Sequence, residues 1–268
     1  MRRHVAATFS RSRSPTYTKI SNSIPTGSDA VNGQNIDMVS SVIDFKISNT
    51  ILQSCYKKLI YVNHNIKPQM ASFYDSHATA FSKSRFRIWP CVKKFLDVLP
   101  PNSRVLDIGC GNGKNMVYRT DLQMYGLEKS EALCNICAAR GLKVVQGDAL
   151  KLPFEDNSFD AIIMIAVIHH IHPEQHKQVL QEIKRVLRPN GKCLITNWSV
   201  EQPIDARRTF HAGLNWVIWK GKEDEPLPYW IMDNALAHEF INYMPIGLQL
   251  IDLEWEAGNW YICIRSSL

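Results

Sequence analysis

Three glycines at alternate positions follow an apolar run that carries an acid: Val105-Leu106-Asp107-Ile108-Gly109-Cys110-Gly111-Asn112-Gly113-Lys114. Glycines so spaced let the backbone turn tightly and approach a ligand, because no Cβ opposes left-handed φ. About 20 residues after Asp107, at the end of Met124-Tyr125-Gly126-Leu127, stands Glu128, an acid placed to accept hydrogen bonds from ribose hydroxyls. A third such stretch, Val144-Val145-Gln146-Gly147, delivers Asp148 and Ala149. The implied ligand is a nucleoside. A pyrophosphate cradle needs G-x-G-x-x-G with a helix N-terminus aimed at the phosphates. Here the pattern is G-x-G-x-G preceded by Asp107, which suits a ligand bearing a cation or an amino group. The alternative is that these acids only cap helices and shape turns.

The elements that must hold these residues alternate in type. Arg104 to Ile108, Met124 to Glu128 and Leu142 to Gln146 read as strands, while Lys114 to Tyr118 and Glu131 to Ala139 read as helices. Ala161 to Val167 is apolar throughout, which predicts a strand buried on both faces, as in the centre of a parallel sheet. Glu174 to Leu187 has apolar residues at helical spacing and stops at Arg188-Pro189-Asn190-Gly191; Lys192 to Trp198 follows as a fifth strand. Upstream, Pro90 opens a helix from Cys91 to Leu99. Downstream, Leu248 to Trp255 and Trp260 to Arg265 form a closing hairpin on a Gly258-Asn259 turn. The fold class is α/β, a doubly wound and mostly parallel sheet.

The 268 residues, 45% of them apolar, suffice for one large domain with appendages. No run approaches the roughly 18 to 20 apolar residues of a membrane span, so no membrane partner is expected. The net charge of +6 is uneven. Residues 1–70 hold nine Lys or Arg and three acids, and the remainder holds 22 of each sign. Residues 1–70 are therefore expected to be a basic, largely disordered extension preceding a domain over 71–268. Its Arg- and Ser-rich opening also admits a mitochondrial transit peptide. Seven cysteines show no disulfide framework, which favours a reducing compartment. Cys134 and Cys137 make one C-x-x-C inside a helical pattern, and His169, His170, His172 and His176 fit no common ligand set; no metal is expected.

The glycine loop resembles the S-adenosylmethionine loop of Rossmann-like methyltransferases. That resemblance implies S-adenosyl-L-methionine as cofactor, with Asp107 toward its methionine moiety, Glu128 on the ribose and Asp148 on the adenine amino group. Gly109, Gly111, Gly113, Ala149 and Ala166 would complete the cofactor-binding set. The acceptor should lie where the fourth strand ends, at Ala166-Val167-Ile168-His169-His170, which lacks the Asn/Asp-Pro-Pro-aromatic run of base amino methyltransferases.

A narrower resemblance rests on Tyr74-Asp75, Phe81-Ser82, Ser84-Arg85, Trp89-Pro90, His169-His170, Glu201-Gln202 and Gly258-Asn259-Trp260-Tyr261. Together these are similar to the tRNA wobble-uridine methyltransferases, which esterify 5-carboxymethyluridine in the anticodon. The resemblance implies a seven-stranded sheet with an N-terminal helix across the cofactor mouth. It also implies a cytoplasmic or nuclear enzyme acting on tRNA with a small zinc-binding activator subunit that extends the sheet edge. Of the cations able to hold a carboxylate nucleophile (Arg85, Arg87, Arg207, Arg208, His169, His170), Arg85 and His169 fall on matched positions and are the expected catalytic residues. The stretch from Ile204 to Phe240 departs from the family pattern. Two other readings stay open: a small-molecule oxygen or carbon methyltransferase of the quinone type, and a non-catalytic cofactor-binding homologue.

Overall fold

The structure is a computed structural model that describes residues 70–206, 209–218 and 227–267. The basic extension apart from Met70, the pair Arg207 and Arg208, and the charged run Lys220 to Glu225 lie outside the described residues.

Five strands run parallel: β1 (Arg104–Ile108), β2 (Gln123–Glu128), β3 (Val144–Gln146), β4 (Phe159–Ile165) and β5 (Leu187–Trp198). Two more, β8 (Leu248–Glu256) and β9 (Asn259–Ser266), pair antiparallel, giving one seven-stranded sheet in the order β3-β2-β1-β4-β5-β9-β8. The strand order reverses beside β1, and its carboxyl end, with that of β4, opens the crevice where ligands bind in such sheets. A separate antiparallel hairpin, β6 (Gly213–Val217) with β7 (Leu227–Ile231), stands outside this sheet.

Alternation along each strand sorts side chains onto two apolar layers. Leu106 and Ile108 of β1, with Ile162 and Met164 of β4, face Val179, Leu180 and Ile183 of α4 (His176–Val186) and Phe240 of α5 (Asn234–Asn242). Val105, Ala161, Ile163 and Ile165 face Val92, Phe95 and Leu96 of α2 (Pro90–Asp97) and Cys137 of α3 (Glu131–Ala139). Each Val, Leu, Ile, Phe or Met side chain so removed from water contributes about 1.5–3 kcal/mol. By this alternation Asp107 points into the same apolar layer as Val105, a fact that governs its chemistry below.

A long helix, α1 (Met70–Ser84), enters the fold by way of Asp75. The Asp75 carboxylate accepts from Ser130 Oγ at 2.6 Å and from Ala132 N at 3.0 Å. Ser130 is itself the N-cap of α3, its side chain accepting from Leu133 N. Asn112 completes the docking, its amide donating to Ser82 O at 3.2 Å and to Arg85 O at 2.8 Å.

Three local expectations are corrected. No helix opens after Gly113: Lys114 to Tyr118 makes successive turns, Met116 N to Gly113 O and Tyr118 N to Asn115 O. Side-chain bonds replace helical ones there, since Asn115 gives its amide to Asp107 and Arg119 donates to the carbonyls of Leu96, Asp97 and Leu99. The closing hairpin turns on Ala257 and Gly258, at φ 50° and 80°, one residue earlier than expected. Positive φ at both central residues matches the twist of the flanking strands, and Asn259 is committed to pairing with Trp198 and Glu256. Finally, β4 ends at Ile165, because Ala166 takes φ 58° with its N–H on Thr196 Oγ1 at 2.8 Å.

Candidate active site

One cavity of about 500 Å³ opens over the carboxyl ends of β1, β2 and β4. Its floor is the glycine loop. Gly109, at φ 67°, presses on Val167, so that a Cβ would overlap the valine methyls; at Gly111, φ 58°, a Cβ would come within 3.1 Å of Phe81 Cε1. The two glycines thus let the post-β4 turn and α1 close down on the loop. Gly113 lies away from the cavity, backed against Leu142 and Cys137.

Glu128 holds the loop. Its carboxylate accepts from Gly111 N at 2.9 Å, Lys129 N at 2.8 Å and Ser130 N at 2.9 Å. Burial raises its pKa, and the three N–H donors oppose that rise. A carboxylate has about four lone-pair sites, so one remains for a ligand hydroxyl. Asp148 borders the cavity with Ala149, its Oδ2 paired with Lys129 Nζ at 2.8 Å and its Oδ1 accepting from Leu150 N. Partial burial would raise its carboxyl, but the Lys129 ammonium and the Leu150 N–H hold it below the ordinary range.

Asp107 does not line the cavity. It lies one layer behind, 1% exposed, with Oδ2 accepting from Asn115 Nδ2 at 3.3 Å. Among the described residues its Oδ1 and the Oδ1 of Asn115 have no partner, two buried acceptors. Burial pushes the Asp107 carboxyl up to about 7 against the help of Asn115 and Lys114. Asn115 and Lys114 are themselves on the cavity wall. An acceptor pair lacking a donor, behind a cradle that a Cβ would fill, fits a ligand with an ammonium group and an adenosine. S-adenosylmethionine meets both conditions.

The opposite wall is aromatic and uncharged. His169 stacks on Tyr229 with centroids 5.0 Å apart, and Tyr229 stacks on Trp198 at 4.9 Å and 16°. His170 Nε2 and Tyr74 Oη lie 3.0 Å apart, which ties α1 to the turn after β4. Burial drives His170 down to about 3 and His169 well below its ordinary value, so both rings are neutral at physiological pH. Arg85 and Trp89 stand at the edge where α1 gives way to α2. Lys114, half-buried, has its ammonium 5.6 Å over the Trp89 ring, and burial lowers its pKa.

Of the residues expected from sequence, Arg85, Gly109, Gly111, Glu128, Asp148, Ala149, Ala166 and His169 are brought together around this cavity; Asp107 and Gly113 are not on its surface. Tyr229 was not legible, because it arrives from β7 within the stretch that departs from the family pattern. The only signal was the apolar alternation Leu227-Pro228-Tyr229-Trp230-Ile231. Glu201-Gln202 and Gly258 to Tyr261 meet each other rather than the cavity. Gln202 Nε2 donates to Gly258 O at 3.0 Å, and Trp255 Nε1 donates to Glu201 O at 3.0 Å. The C-x-x-C thiols serve the same loop: Cys137 donates to Gly111 O and Cys134 to Glu128 O.

This sheet order with a cradle of this kind is the Rossmann-like methyltransferase fold, and known proteins share it. A family described as Methyltransferase domain matches residues 106–195. A methyltransferase solved with the Haloferax volcanii Trm112 methyltransferase activator superposes with TM-score 0.57 at 18% identity, over 75% of this chain and 98% of that one. The [4+2]-cyclase SpnF superposes with TM-score 0.55, also at 18% identity, over 75% of this chain and 96% of its own, so the likeness to solved structures speaks for the fold alone.

Sequence relatives narrow the class. The tRNA (carboxymethyluridine(34)-5-O)-methyltransferase of Schizosaccharomyces pombe is 38% identical over 177 residues, 66% of this chain and 72% of the relative. The enzyme of that name from Arabidopsis thaliana is 42% identical over 130 residues, and ALKBH8 of Mus musculus is 45% identical over 179. These alignments take in 48% and 65% of this chain, but only 32% and 26% of the relatives' own length. The chain belongs to the tRNA (carboxymethyluridine) methyltransferase family.

Proposed function

We propose that this chain binds S-adenosylmethionine in the cavity and methylates the carboxylate of 5-carboxymethyluridine at the wobble position of tRNA, forming a methyl ester. The observation that carries the proposal is one cavity with two unlike walls. Backbone amides and acids make one wall, and neutral aromatic side chains make the other. Bound against the first wall, the cofactor would supply an electrophilic methyl group on a sulfonium.

The chain's own residues then have three tasks. Glu128 and Asp148 bind and orient a cationic nucleoside, with Asp107 one layer behind, through Asn115 on the wall, supplying negative charge. His169, Tyr229 and Trp198 present flat apolar surface to a base and exclude water from the carboxylate beside it. An acceptor carboxylate is already ionised near neutrality, so no proton need be removed; it must be positioned and stripped of water, a gain of up to roughly 7–11 kcal/mol in the best intramolecular cases. Arg85 is the cation at the rim able to fork onto one carboxylate oxygen while the other attacks. His169, being neutral, serves as a single N–H donor rather than a charge.

In this proposal the enzyme acts in the cytoplasm with a small zinc-binding activator, as the family resemblance implies. Exposed sheet edges are available at β3, with Val145, and at β8, with Ile251 and Trp255. The test is incubation of the chain, with and without such an activator, with labelled cofactor and tRNA containing 5-carboxymethyluridine. Label released by mild alkali is the expected result. Alkali-stable label, or none under either condition, overturns the proposal.

A further inference from the structure

Between α1 and α2 the chain runs without helix or strand from Arg85 to Trp89, and both of those residues line the cavity. Phe86 lies between them, 71% exposed. The backbone on both sides of this ring is held in place. Asn112, itself buried, donates to the carbonyls on both sides of Ser84, and Trp89 precedes a helix that opens on Pro90. The ring is thus displayed on a fixed pedestal. Arg87 lies against it, the guanidinium carbon 5.5 Å from the ring centroid.

Between Asp75 and Asp97 the sequence carries one sign of charge. From Ser76 to Leu96 there are five cations (Lys83, Arg85, Arg87, Lys93 and Lys94) and no carboxylate. Lys83, Arg87, Lys93 and Lys94 are exposed, and among the described residues none of the four pairs with an acid. An exposed ring among unpaired cations is the arrangement that holds single-stranded nucleic acid, the ring stacking a base and the cations meeting its phosphates. A protein partner would be served by a wider apolar patch than a single ring.

Resting on the reading of this site as a tRNA-modifying one, we infer that the α1–α2 connection is its RNA platform. Phe86 stacks on the base next to the acceptor nucleotide, and Lys83, Arg87, Lys93 and Lys94 neutralise the flanking phosphates. Phe86 directly follows Arg85 at the cavity rim, about 3.8 Å between Cα atoms, so a neighbouring base can reach the ring while the acceptor base occupies the cavity.

The experiment uses the whole chain and an anticodon stem-loop RNA carrying 5-carboxymethyluridine, with 2-aminopurine placed in turn on either side of it. Binding is expected to quench the fluorophore on one side, and Phe86→Leu to abolish the quench. The same variant should raise KM for the RNA about 10-fold or more, with kcat and cofactor affinity unchanged. Lys93→Gln with Lys94→Gln should flatten the dependence of log affinity on log salt by about 1.4 in slope, near 0.7 per phosphate contact of a single strand. Unchanged quenching and KM in Phe86→Leu overturn the inference, as does a Phe86→Leu that loses a protein partner while RNA affinity holds. The quench needs no turnover. A wild-type chain that quenches yet makes no ester refutes the catalytic reading and leaves the platform standing; one that makes ester with Phe86 irrelevant does the reverse.

Discussion

Replacing Asp107 by Asn should stabilise this protein while weakening its hold on the cofactor. The carboxyl has been pushed from 3.8 to about 7 by complete burial in the layer beneath the glycine loop. A group whose folded pKa lies above its unfolded value favours the fold fully below about pH 3.8, and that advantage is lost as pH rises through about 7. At about 1.4 kcal/mol per pH unit, the ionised form therefore costs the ligand-free fold about 4 kcal/mol above pH 7. Asparagine has the same shape and no charge, and its amide can donate to Asn115 Oδ1, which now lacks a partner. At roughly 2–4 °C per kcal/mol for a domain of this size, Tm of the variant should exceed wild type by on the order of 10 °C at pH 8, the difference vanishing near pH 4. Titration calorimetry with S-adenosylmethionine should show affinity falling at least about 10-fold, since the ammonium loses its counter-charge. Scanning calorimetry across that pH range tests the first half. A variant less stable than wild type at pH 8, or a gain independent of pH, refutes the argument that burial of this carboxylate is a cost tolerated for binding.

Three further outcomes follow from the same geometry. Because Asp107 must be ionised to meet a cation, cofactor affinity of the wild type should weaken as pH falls below about 7, by up to about tenfold per unit, and Asp107→Asn should remove that slope. Gly109→Ala should be destabilised by about 1–3 kcal/mol in urea melts, since it adds a Cβ against Val167 at φ 67°. Gln202→Ala should cost about 1–3 kcal/mol of stability by leaving Ser199 O and Gly258 O without its amide, with kcat and both KM values within about twofold of wild type. A large loss of kcat there would return Glu201-Gln202 to the cavity chemistry.

The parallel strands were legible because each announces itself locally. Continuous apolar runs such as Ala161 to Val167 have few alternatives to a doubly buried strand, and the acids at strand ends fall at the crevice by topology alone. What local reading could not give was depth. Asp107 and Glu128 look alike in sequence as acids near strand ends, yet alternation sends Asp107 into an apolar layer and leaves Glu128 at the cavity. Nor could it give contacts made across long loops. Tyr229 meets His169 and Trp198 only because the β6–β7 hairpin folds over the end of β5. The turns after Gly113 are hidden for the same reason: the side chains of Asn115 and Arg119 hold them in place, which local spacing does not register.

The two walls of the cavity explain one another. In the proposed reading a sulfonium nucleoside brings positive charge, and the acids that receive it are buried, where a carboxylate is costly to ionise without a cation beside it. A second acid near the acceptor would compete for the ligand's charge and repel an incoming carboxylate. The acceptor wall instead holds imidazoles that burial keeps neutral, packed between Tyr74, Trp198 and Tyr229. In such a wall an anionic acceptor finds few competing dipoles and little water, so its strongest electrostatic partner is the cation across the cavity. In the proposed reaction the aromatic wall thus raises the reactivity of a carboxylate without any titrating group, and the pH-dependence of cofactor binding is left to Asp107 on the other side.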